Sequence, residues 1–250
     1  MPTPEQRATA VQGGSGDFRT THWSVVLRAG LSDSGLAQAA LEDLCQGYWY
    51  PIYSFVRRRG FSPEDAEDLT QEFFSRLLAN RGLATVDPAK GRFRSFLLAS
   101  LKNLLANEWN RAQAQKRGGG VPLFSLDEKA AEERFQLEPS ENATPETIFE
   151  RRWAETLLER VLLQVRAEWN QRDKQQRFDM LKAFLTDRRG ELPFAEVAAR
   201  LHTTVPALRS VVHKLREHYR RAFLEEVART VDDPGDVEDE IRRLFAALGD

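Results

Sequence analysis

Asp65, Asp68 and Glu72 set carboxylates one helical turn apart within "DAEDLTQEFFSRLL" (65–78), a spacing that serves two kinds of chemistry. Asp68 and Glu72 could hold Mg²⁺, provided a neighbouring helix supplies a second carboxylate pair. The nearby candidates, Glu42 and Asp43, are adjacent in sequence and therefore point in different directions. Alternatively, an acidic helix face receives basic side chains of a protein partner, giving a fast and selective encounter. Spacing alone leaves both open.

Two basic concentrations suggest nucleic-acid chemistry. In the first, Lys90, Arg92, Arg94, Lys102, Arg111, Lys116 and Arg117 are opposed only by Glu108, with Phe93, Phe96 and Trp109 interleaved. Cations track phosphates, and aromatic rings stack on or cradle unpaired bases. The same rings also suit a bundle core. In the second, "FAEVAARLHTTVPALRSVVHKLREHYRR" reads as a short helix, a tight connection at His202 to Thr204, and a longer basic helix. Such a layout is that of a helix-turn-helix. Ala198, Leu201, Val205, Leu208 and Val212 have the spacing to pack the pair, leaving Arg209, Ser210, His213, Lys214 and Arg216 outward. Thr204 is expected as the N-cap of the second helix.

Other chemistries find little support. The four His residues (22, 202, 213 and 218) lack ligand spacing, and the single Cys45 permits neither an internal disulfide nor a Cys-based zinc site. No P-loop, Rossmann glycine pattern or nucleophile elbow is present. No cofactor or catalytic residue is expected. The opening "MPTPEQRATAVQGGSGD" lacks the features of a secretory signal, and no apolar run reaches membrane-spanning length. A cytoplasmic protein without membrane insertion is therefore expected. Net charge is only −2, so any attraction to nucleic acid must come from local segregation of charge.

The elements that must position these residues read almost throughout with the helical period, so an all-α fold of two helical domains is expected. Residues 1–20 read as a flexible tail, and 21–118 as a first domain in which Pro51 should kink or divide a helix. Ser62, Pro63 and Asp65 open the acidic helix as N-cap, first helical residue and capping-box partner. In that helix Ala66, Leu69, Phe73 and Leu77 form the apolar stripe, widened by Phe74 and Leu78. A long helix is expected from about Arg92 to Gln115. Residues 119–145 read as an acidic linker: between Ser125 and Glu150 stand eight acids against Lys129 and Arg134. A second domain over 146–230 begins at Thr144-Pro145, with helices to Asn170 and from Lys174 to Arg188 before the helix-turn-helix. The stretch 231–250 is an acidic, amphipathic tail, expected to fold back on the second domain and mask its basic recognition helix.

Taken in order, "DAEDLTQEFFSRLL", "GRFRSFLLASLKNLLANEWNRAQAQKR" and the C-terminal helix-turn-helix resemble a bacterial RNA polymerase sigma factor of the extracytoplasmic-function group. The likeness covers about Trp23 to Val227 and matches that family's regions two and four. It implies a protein that performs no catalysis, binds core RNA polymerase through the β′ clamp and β subunits, and opens promoter DNA. Asp65, Asp68, Gln71 and Glu72 would meet the β′ clamp. Lys90, Arg92, Arg94, Phe96, Lys102, Asn103 and Arg111 would handle the minus-ten element as a melted strand. Thr204, Arg209, Ser210, His213, Lys214, Arg216 and Arg220 would serve the minus-thirty-five duplex. An anti-sigma factor or other regulator is a further implied partner, and the linker would run toward the RNA exit path. His202 stands where the family's turn usually has Gly, and Pro193 where a Ser or Thr usually precedes the first helix of the pair. Two readings compete. A stand-alone helix-turn-helix regulator would leave the acidic helix unused, and an all-α Mg²⁺-dependent nucleotide pyrophosphohydrolase would need the missing carboxylate pair.

Overall fold

Apolar positions at three- and four-residue spacing run through nearly every segment described in this computed structural model, and all regular structure among those segments is helical. The described residues are 35–79, 92–112, 128–138, 143–170, 175–186, 193–231 and 233–249. The expected loop before Arg92, the N-terminal tail and residues 113–127 lie outside them, as do Lys90 and the side chains of Leu78, Trp109 and Arg111.

Helix α1 (Gly35–Arg58) is buried along most of its second half, with Leu44, Cys45, Tyr48, Trp49, Ile52, Tyr53, Phe55 and Val56 all in the core. Pro51 does not divide it. The proline removes the amide that would bond to the carbonyl of Gly47, yet helix runs on both sides because each flank is locked by packing. Gly47 lies beneath the Arg160 guanidinium: a Cβ there would sit 2.9 Å from its Nη1, so the arginine tip would have to shift. Burial pushes the Cys45 thiol up to about 12, with the Glu42 charge adding to the effect, so it serves as a small core residue.

Helix α2 (Pro63–Ala79) starts where the Oγ of Ser62 accepts the amide of Asp65 at 3.1 Å. Ala66, Leu69, Phe73, Phe74 and Leu77 are buried against α1, and Phe74 stacks on Trp49 at 5.9 Å. Helix α3 (Phe93–Ala112) buries Phe93, Leu97, Leu101, Leu104 and Leu105. Each such side chain, removed from water, contributes roughly 1.5–3 kcal/mol, so neither helix needs a strong intrinsic propensity.

The segment read as a linker contains a helix, α4 (Glu128–Gln136). Helix α5 (Pro145–Asn170) follows, capped by Thr144, whose Oγ1 accepts the amide of Thr147 at 3.2 Å. It forms a spine: Ile148, Phe149, Trp153, Ala154, Leu157, Val161 and Val165 are buried. Its most extensive contact is with α1, and it also carries the C-terminal helices. The segment expected as one helix from Lys174 to Arg188 is two, α6 (Gln175–Leu181) and α7 (Ala183–Thr186), separated at Lys182.

Helix α8 (Phe194–Arg200) and helix α9 (Val205–Thr230) form the helix-turn-helix. Ala198, Leu208 and Val212 are buried between them, with Leu201 and Val205 packed at the margin, as the spacing requires. Thr204 caps α9 by accepting the amide of Ala207 at 3.4 Å. The turn passes through His202 at φ 49°, the left-handed conformation for which Gly is better suited. A short 3₁₀ turn (Pro234–Asp236) leads into α10 (Val237–Leu248), ended by Gly249 at φ 87°. One apolar cluster runs from Leu44 to Leu244, so helices from both expected domains share a core.

Candidate functional site

The acidic face of α2 is presented to solvent. Asp65 and Asp68 are exposed, while Gln71 and Glu72 are partly covered. Gln71 donates to Glu67 at 3.1 Å and Glu72 pairs with Arg76 one turn along. Since the apolar stripe of the same helix is held by the core, these polar groups sit on a rigid support. That rigidity suits recognition of a partner whose charges lie at fixed spacing.

The basic start of α3 has a different setting. Arg94 is 5% exposed and pairs with Glu150 of α5 at 2.5 Å and with Glu240 of α10, while its guanidinium lies 4.3 Å from the centre of the Trp153 ring. Arg92 meets the Glu240 carboxylate at 2.6 Å and Asp239 at 3.5 Å. Lys102 pairs with Glu146 at 2.9 Å. A hydrogen bond from Lys102 draws the Glu146 carboxyl below its ordinary range, with Arg59 adding to the effect. Asn103 is exposed, and Phe96 is half-buried beside Phe93 at 6.2 Å between ring centres. The structure thus brings Arg92 and Arg94 together and sets Lys102 farther along the same helix, each against carboxylates of α5 or α10.

On α9, Arg209, Ser210, His213, Lys214 and Arg220 are exposed on the outer face, and Arg209 also lies 5.4 Å from the Phe194 ring centre. Arg216 has a structural bond as well. Its Nε and Nη2 donate to the Phe184 carbonyl at 3.0 and 2.8 Å, tying α9 to the end of α7. Thr204 is committed to its cap.

Sequence reasoning missed the acids that answer the cations. Glu132 of α4 receives Nε and Nη2 of Arg57 at 3.0 and 2.9 Å and the Tyr53 hydroxyl at 2.5 Å. The Arg57 bonds are the main reason its carboxyl falls to about 2. Glu138 takes the Tyr50 hydroxyl at 2.5 Å, Arg58 at 2.9 Å and Arg152 at 2.6 Å. Arg57 and Arg58 lie 4.7 and 5.1 Å from the centre of the Phe135 ring. The available signal was the run of acids over 125–150 placed after a helix ending "FVRRR". The tail also departs from expectation. It folds back, but α10 packs on α5 and on the far half of α9, where Phe245 meets Phe223 at 6.2 Å. Its acids reach Arg92 and Arg94, leaving the outer face of the recognition helix exposed. Among the described residues no group of three or more His, Cys, Asp or Glu side chains could hold a metal ion, and no helix is long and apolar enough to cross a membrane.

Residues 46–115 match the family model described as Sigma-70 region 2. The match likens this part of the chain to region 2 of the sigma-70 family. Its span takes in the second half of α1, all of α2 and α3, and so both the acidic face and the basic start of α3. Sigma-70 region 2 belongs to non-enzymatic transcription initiation factors, a family that works with core RNA polymerase and promoter DNA. No curated protein and no solved structure matches the chain.

Proposed function

We propose that this chain is a sigma factor of the extracytoplasmic-function group, which binds core RNA polymerase in the cytoplasm and directs it to promoters. The observation that carries the reading is the Sigma-70 region 2 match over 46–115, centred on a helix whose acidic face is solvent-exposed while its apolar face is locked in a core. In this reading Asp65, Asp68, Gln71 and Glu72 meet the β′ clamp, and α3 handles the melted minus-ten strand with Arg92, Arg94, Phe96, Lys102 and Asn103. Lys90 and Arg111 belong to the same set by sequence. Helix α9 enters the minus-thirty-five duplex with Arg209, Ser210, His213 and Lys214 at the bases, and with Arg220 on phosphate. Thr204 and Arg216 then fix the pose of α9, and Arg216 reaches phosphate if its tether to α7 opens. The β subunits take the second domain, and an anti-sigma factor is a candidate regulator.

The test is binding of labelled protein to bacterial core RNA polymerase, alongside a folded Asp68→Arg, Glu72→Arg variant. Tight binding by the parent and a loss of at least about tenfold in the variant is the expected pattern, since reversed charges at a complementary interface cost more than 1.4 kcal/mol. Binding by neither protein, together with tight binding of duplex DNA alone, would move the assignment to a stand-alone helix-turn-helix regulator.

A further inference from the structure

Two arginines at the start of α3 are ion-paired in cis with carboxylates from elsewhere in the chain. Glu240 is fully buried; it meets Arg94 through one oxygen and Arg92 through the other, and its first oxygen also accepts the Thr230 hydroxyl at 3.4 Å. Asp239 adds to Arg92, and Glu150 of α5 adds to Arg94. Helix α10 is held in place by its apolar face, with Leu244 buried and Val237, Ile241 and Leu248 packed at the core margin. The acids of its first turn make the ion pairs with the start of α3.

From this arrangement we infer that α10 is an autoinhibitory latch, closing the basic start of α3 against single-stranded nucleic acid. The inference rests on the reading of α3 as a nucleic-acid surface. Carboxylates and phosphates compete for the same guanidinium donors, and Arg forms bidentate bonds with either. A strand therefore cannot use Arg92 until Glu240 and Asp239 let go, and Arg94 must exchange both Glu240 and Glu150. A buried carboxylate between two arginines is costly to withdraw unless another anion takes its place, so the exchange is expected to be switch-like rather than gradual.

The experiment uses the full chain, a fluorescein-labelled dT20 oligonucleotide at low and moderate salt, and hydrogen exchange across residues 237–248. Asp239→Asn, Glu240→Gln removes the latch charge while keeping side-chain shape. The expected result is faster exchange in α10, at least tenfold tighter dT20 binding, and a salt slope steeper by about 0.7 for the phosphate gained by Arg92, or about 1.4 where Arg94 also exchanges Glu150 for phosphate. If exchange rises but parent and variant bind dT20 equally, the latch is overturned while α3 keeps its nucleic-acid role. If exchange rises and neither protein binds dT20 at low salt, the nucleic-acid reading of α3 fails and the latch fails with it. Should the neutral variant leave exchange unchanged, Glu240→Lys places a third cation beside Arg92 and Arg94. Unchanged exchange there as well would show that charge does not hold α10, which also overturns the proposal.

Discussion

His202 shows how one residue carries a conformational cost. At φ 49° its Cβ crowds the following carbonyl, a strain of roughly 1–2 kcal/mol for a residue other than Gly. Its replacement by Gly relieves that strain but adds about 0.4–1 kcal/mol of unfolded-chain entropy. The net expectation for His202→Gly is stabilisation of between about 0 and 1.5 kcal/mol, read from the urea midpoint at constant slope. A clear loss of stability would mean that the imidazole makes up for the strain elsewhere. The family resemblance flagged this position, since His202 stands where that family's turn usually has Gly. The sequence could not flag Arg94: its type and position read as a solvent-facing cation, and only α5 and α10 make it a buried ion-pair centre.

At the scale of elements, helix starts were legible and helix partners were not. Ser62, Thr144 and Thr204 each cap the helix that their sequence announced, because a cap depends only on a side chain and amides three residues away. Thr204→Ala is expected to cost about 0.5–1 kcal/mol, at the low end of the range because its bond is long at 3.4 Å. The loss should appear as faster hydrogen exchange in the first turns of α9, with α2 unaffected; equal change in both helices would point to a global effect. At Pro51 local reasoning allowed a kink or a division, and division does not occur. A missing hydrogen bond can divide an exposed helix, but α1 is buried around Pro51 and packs on both α2 and α5, so the helix continues past the defect.

Across the whole molecule, charge segregation along the chain becomes charge pairing in space. Glu132 of α4 and Glu138 just beyond it clasp the basic end of α1, and acids of α5 and α10 clasp the start of α3. The α4 clasp makes stability depend on pH. Glu132 is depressed from its usual range near 4.5 to about 2, with the Arg57 hydrogen bonds as first cause. A carboxyl lowered by folding stabilises fully above its unfolded value, and that contribution disappears as pH falls through the folded value. Acid titration from pH 5 to about 2 should therefore loosen α4 progressively, followed by hydrogen exchange over 128–138. Glu132→Gln should flatten the dependence in that window and leave it unchanged above pH 5. An unaltered acid profile in the variant would place the acid-sensitive group elsewhere.

The all-α fold, the helix starts, the helix-turn-helix and the acidic and basic faces followed from the sequence alone. Each depends on residues within one or two turns of one another, where periodicity and capping fix the geometry. Pairing between distant segments was decided only in the tertiary structure. The α1 to α5 spine, the helix within the expected linker, and the contact of Glu240 with Arg92 and Arg94 join residues that local pattern cannot relate. Their partners were set by which apolar stripes could be buried together, and the charges followed the helices that carry them.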